Sequence, residues 1–194
     1  MNKAVKLILV VVAMALSSSA YATDIAKWVV DAQKSTLTFS GREEGRPFSG
    51  SFADFTPEIV FAPEHLELSH IKVIIKTGSS KTDNPALDGD MLGRDWLASA
   101  QFPEATFETR SIRATGVSDK EGIINYEAAG NLTILGISKD IILPFALKDE
   151  GGTTHAFGEV TLKRLDFGVG VGADKNAQTV DNDIKVRFDI YAHP

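Results

Sequence analysis

Apolar and polar side chains alternate along most of this chain. Within Ser35 to Arg42, Leu37 and Phe39 share one face, and Thr36, Thr38 and Ser40 share the other. Ile71, Val73 and Ile75 oppose His70 and Lys72, and Phe107 opposes Thr106, Glu108 and Arg110. Tyr126, Ala128, Leu132 and Ile134 fall together, as do Ile141, Leu143, Phe145 and Leu147. Ile184, Val186, Phe188 and Ile190 oppose Lys185, Arg187 and Asp189. Successive side chains of a strand point to opposite faces, so these period-2 runs predict half-buried strands. Turn-forming residues separate them at Gly41 to Gly45, Asp119 to Gly122, Asp149 to Gly152 and Asp174 to Asn176. One stretch departs from the pattern. Leu87 to Ala98 reads LDGDMLGRDWLA, which predicts a short helical insert cut by Gly93 and stopped before Pro103. The expected fold class is all-β, with antiparallel strands of similar length and a helical insert near residues 87–98. One apolar face per strand suits a barrel interior and a sandwich core equally, so alternation does not separate the two.

The N-terminus follows a different rule. Lys3 and Lys6 precede the unbroken apolar run LILVVVAMAL, and Ala20 and Ala22 form an A-x-A site. This predicts a secretory signal peptide over residues 1–22, cleaved after Ala22. The run is about half the ~20 apolar residues that a bilayer span needs. The expected mature chain is then one periplasmic domain, residues 23–194. Losing Lys3 and Lys6 with no acid moves the formal charge from −6 to −8. An acidic chain gains nothing from phosphate backbones or anionic membrane surfaces, so no nucleic-acid partner is expected. Cysteine is absent, which removes disulfides, thiol chemistry, Cys-based zinc sites and iron–sulfur clusters.

An enzyme needs a constellation of reactive groups, and none is legible. Gly78 to Thr82 reads GSSKT, but the earlier glycine of a phosphate loop is missing. There is no G-x-S-x-G elbow. His65, His70, His155 and His193 have no metal-ligand spacing, and Asp88, Asp90 and Asp95 do not fit a calcium loop. Acids there read as solvated groups at a helix N-terminus. Asn131-Leu132-Thr133 is a chance sequon. No catalytic residue, metal or cofactor is expected.

Several blocks in order point to a family: Trp28 and Asp31, Gly50-Ser51-Phe52, Ile59 to Pro63, Gln101-Phe102-Pro103-Glu104-Ala105-Thr106-Phe107, Gly130 to Gly136, Ile142 to Phe145, and Arg164 to Gly170. Together they resemble the YceI-like family over nearly the whole mature chain. The resemblance implies a lipocalin-like antiparallel barrel of about eight strands holding a long-chain amphiphile, a polyisoprenoid in the best-known members. LKRLDFGVGVG looks like the branch of the family also found fused to membrane b-type cytochromes. An accessory role in electron transport, with a quinone-like ligand or a b-type cytochrome partner, is therefore the alternative; separately, a homodimer through an exposed edge strand or the 87–98 insert is a candidate assembly. The resemblance carries no catalytic residues.

A lipid pocket needs an apolar lining that does not fill the barrel. Phe39, Phe107, Leu132, Ile134, Leu143 and Phe145 stand at inward positions. Phe48, Phe52 and Phe55 are expected to wall one end, and Leu92, Trp96 and Leu97 to form a lid or mouth. Phe102, in the F-P-x-A-x-F block, completes the candidate set. A polar head is expected near Arg42, Lys81, Arg94 or Asp95. Each buried methylene contributes about 0.8 kcal/mol, so a long tail needs no special polar chemistry to bind.

Overall fold

The computed structural model describes residues 25–82, 84–118 and 122–194. The expected signal peptide and Asp119–Glu121 of the expected turn lie outside the described residues. In chain order the strands are β1 (Lys27–Val30), β2 (Thr36–Glu43), β3 (Arg46–Phe52), β4 (Phe55–Val60), β5 (His70–Lys76), β6 (Ser80–Thr82), β7 (Glu104–Val117), β8 (Ile123–Ile134), β9 (Ile137–Asp149), β10 (Thr154–Lys163) and β11 (Asp183–His193). Two short helices are α1 (Pro85–Leu92) and α2 (Val171–Asp174).

The strands form one antiparallel sheet that closes on itself. The path β1–β4–β5–β7–β8–β9–β10–β11 returns to β1 through Val29 and Val30, which pair with His193 and Ala192. The remaining segments prolong members of this ring. β1 continues into β2, β3 into β4, and β5 into β6, each across a short break. β2 pairs with β11, β3 with β2, and β6 with β3. The molecule is therefore an eight-stranded up-and-down barrel, three of whose strands are broken. Closure leaves room inside for one small ligand. It also decides between the barrel and sandwich readings.

Local sequence explains the turns. Glu44 and Gly45 have φ of 49° and 77°, and Leu135 and Gly136 have 52° and 74°. Positive φ at both central residues is the two-residue hairpin geometry whose twist matches the strands. The break after β1 is an Asx turn, in which the Asp31 carboxylate accepts the N–H groups of Gln33 and Lys34. The break between β3 and β4 shifts the side-chain phase. Phe48 and Phe52 face inward on even positions, and Phe55 and Ile59 on odd ones. Irregularities in β7 at Thr109/Ser111 do the same, so Ile112 is buried after Phe107 and Thr109.

The helical insert corrects its expected bounds. α1 begins at Pro85, whose fixed φ suits a first helical position, and ends at Leu92 rather than Ala98. Trp96 and Leu97 lie in the turns that follow, where Trp96 N–H donates to Gly93 O and Leu97 N–H to Met91 O.

Gly158 marks where β9 and β10 crowd each other. A Cβ there would lie 2.4 Å from the Pro144 carbonyl oxygen and 2.7 Å from the Phe188 ring. Gly158→Ala is expected to cost about 2 kcal/mol through overpacking. A urea midpoint unchanged from the parent would contradict this.

Candidate functional site

Two apolar chambers occupy the barrel in series. The deeper one, about 150 Å³, is walled by strand positions from β1, β4, β5, β9, β10 and β11 with Phe107, Ala128 and Leu132. Among the described residues, Thr154 is the one hydroxyl-bearing side chain on its wall. The second, about 180 Å³, lies under α1 and the turns after it. Leu37, Ile75, Leu132, Leu162 and Val186 belong to both walls, so the chambers meet at a waist. Each is comparable to an engineered apolar cavity of about 150 Å³ that stays dry and binds benzene.

Strand phase places the candidate residues. Phe55, Phe107, Leu143 and Phe145 wall the deep chamber. Phe39, Phe48, Phe52, Trp96, Leu97 and Ile134 wall the chamber under the insert, and Leu132 touches both. Phe55 is thus separated from Phe48 and Phe52 by the phase shift described above. Leu92 is not on either wall; its neighbour Met91 is. Phe102 lies outside the barrel, 37% exposed, with its ring near Gly136. It sits in the turn leading to Pro103, before the inward phase of β7 is set. Alternation already marked Ile71, Val73, Ile75, Val186, Phe188 and Ile190 as one-sided, and all six wall the deep chamber.

An aromatic cluster fills the far end of the deep chamber. Trp28 Nε1 donates to Phe61 O at 2.9 Å. Phe61 meets Tyr126 edge-on with centroids 5.4 Å apart, and Tyr126 stacks on Phe145 at 5.2 Å. Burial, then the nearby Glu64 charge, pushes the Tyr126 hydroxyl pKa up, so it stays neutral.

The other end holds the one cation that the described residues place on either wall. Arg164 follows β10, is 4% exposed, and lines the chamber under the insert with Thr77. Its guanidinium lies 5.1 Å from the Trp96 ring centroid. Nε donates to Asp181 O, Nη1 to Val169 O, and Nη2 to Asp174 Oδ2 and to Val180 O, both at 2.8 Å. Asp174 also accepts the backbone N–H groups of Gln178, Thr179 and Val180. The Val180 bond leads in holding its carboxyl below the usual range. Burial lowers the Arg164 pKa from a very high starting value, so it remains charged. Gly170, at φ 76°, leaves room for this cluster: a Cβ would lie 2.5 Å from Arg164 Nη1 and 2.6 Å from Trp96.

Sequence reading gave neither partner a place in the site. Asp174 reads as a turn residue, and Arg164 appears only at the head of the family block Arg164 to Gly170. Arg42, Lys81, Arg94 and Asp95, the expected head-group residues, are exposed and absent from both walls. Asp88, expected to be solvated, accepts from Thr82 N–H and Thr82 Oγ1, which ties α1 to β6. The histidines lie apart: His65 beside Glu67, His70 beside Glu108, and His155 beside Asp189. Among the described residues no three His, Asp or Glu side chains gather as metal ligands do.

Comparison with known proteins agrees with this architecture. The YceI-like domain family matches residues 28–192. A UPF0312 protein of Pseudomonas savastanoi pv. phaseolicola is 30% identical over 168 residues, covering 82% of this chain and 84% of that protein. One from Azotobacter vinelandii is 30% identical over 143 residues, covering 71% of each. Burkholderia cenocepacia BcnA superposes with a TM-score of 0.75 at 24% identity, covering 84% of this chain and 99% of BcnA. A polyisoprenoid binding domain from Saccharophagus degradans superposes at 0.68 and 14% identity, covering 86% and 97%. At these identities the solved structures establish a shared fold.

Proposed function

The chain belongs to the YceI-like family, and from that premise we propose that it binds a long-chain, isoprenoid-type amphiphile inside the barrel and carries it through the periplasm. The observation that carries this is the pair of apolar chambers sharing one waist. A filled core would have no such space, and an active site would bring polar groups together there. The polyisoprenoid binding domain that shares the fold supports the same ligand class. The signal-peptide pattern of residues 1–22 supports the compartment. The tail lies in the deep chamber and across the waist. The head lies toward the insert, at the end of the interior nearest the buried Arg164 charge. The role is binding, not catalysis.

Native mass spectrometry of protein taken from the periplasm without detergent tests this, with organic extraction of the same sample. The expected result is a bound, extractable species of a few hundred daltons on a chain lacking residues 1–22. A bare chain that also fails to take up added polyprenyl phosphate or quinone would overturn the reading.

A further inference from the structure

We infer that the ligand tail enters and leaves sideways, through the seam between β9 and β10; this rests on the carrier reading above. The two strands pair only where Ala146–Asp149 meet Thr154–Phe157. Both run on well past that ladder. β9 stays paired with β8 as far as Ile137, and β10 with β11 as far as Lys163. Along Ile137–Phe145 and Gly158–Lys163 the facing edges therefore carry no ladder among the described residues.

The sequence accounts for the stop. Continuing the register would set Pro144 opposite Glu159, and proline has no N–H to give to a ladder. Beyond the close backbone approach of Gly158 to Pro144, the seam is closed by side chains. Ile141 and Leu143 on β9 and Val160 and Leu162 on β10 all face the deep chamber. On the outer side of β9, Ile142 is 59% exposed, an apolar step from solvent to that wall. Parting the seam moves apolar side chains and breaks no backbone ladder, and the surface it uncovers suits a hydrocarbon tail.

Two of the other passages are tied down; a further stretch without a ladder among the described residues lies between Val29–Leu37 and Phe52–Glu58. The insert is anchored by Asp88 on Thr82 and by Trp96 against the Arg164 guanidinium. The far end is packed with Trp28, Phe61 and Tyr126. Opening either breaks polar bonds or unstacks aromatic rings.

The chain has no cysteine, so introduced pairs are unique. The extended register sets Ile142 opposite Thr161, both outward. The double variant Ile142→Cys/Thr161→Cys, bridged after folding by a short bis-maleimide, closes the seam. Thr82→Cys/Asp88→Cys, bridged likewise, locks the insert. Uptake and release of cis-parinaric acid, an 18-carbon fluorescent fatty acid, are then followed by stopped flow. The seam bridge is expected to slow both rates at least 10-fold with affinity unchanged, and the insert bridge to leave them within 2-fold of the unbridged variant. Slowing by the insert bridge alone, or unbridged rates in both, would overturn the route. If the unbridged proteins take up neither this probe nor polyprenyl phosphate, the carrier reading itself fails.

Discussion

Val186→Trp is expected to weaken binding of a long-chain amphiphile about 100-fold and to leave the fold intact. Val186 lies on β11 at the waist, on the walls of both chambers. An indole there fills existing apolar space and divides the interior. A tail that had crossed the waist then loses about four buried methylenes, or roughly 3 kcal/mol, which is on the order of 100-fold in affinity. Overpacking is expected to cost about 1 kcal/mol, because the chambers absorb the added volume. Calorimetric titration with amphiphiles of increasing chain length checks this. The variant should match the parent for chains short enough for one chamber and diverge from it as chains lengthen. A uniform loss at every length would mean a disturbed fold, and no loss at any length would mean that the tail does not cross the waist.

Arg164→Met is expected to cost about 3–5 kcal/mol of stability, because it leaves the buried Asp174 carboxylate without its cation. For a chain of this size that corresponds to a drop of roughly 10 °C in Tm, read by calorimetry or circular dichroism. Arg164→Lys should fall between, since an ammonium keeps the charge but lacks the planar fork that reaches Asp181, Val169, Asp174 and Val180. A loss below about 1 kcal/mol for Met would show that the pair is dispensable. The pH dependence has a definite sign. Asp174 has a lowered folded pKa, so its stabilisation is fully present above the unfolded carboxylate value, near 4, and is lost as pH falls through the folded value. The leading cause is the Val180 N–H, ahead of the Arg164 charge. Most of that acid-side loss should therefore survive in Arg164→Met, and its disappearance would assign the shift to the arginine instead.

Which residues face inward was largely legible in the sequence. Period-2 alternation marked Ile71 to Ile75, Ile141 to Leu147 and Ile184 to Ile190, and each run keeps one phase along one unbroken stretch of strand. Phase failed where the backbone changes it. The break at Ala53–Asp54 sends Phe55 into a different chamber from Phe52, and the β7 irregularities bring Ile112 inward. Leu92 gave way to Met91, the α1 residue that lines the chamber under the insert. Phe102 lies in a turn, where strand parity has no meaning.

By itself, the sequence determined the strand class, the apolar face of each strand and the wealth of aromatic residues available to line an interior. These follow from local rules of side-chain direction and burial, which act over a few residues. Tertiary structure alone decided closure, through the pairing of the broken β1–β2 strand with β11. It also decided the split of the interior into two chambers, the unpaired seam of β9 and β10, and the burial of Arg164 with Asp174. Each depends on groups far apart in the chain meeting in space, and no local pattern encodes a meeting of that kind.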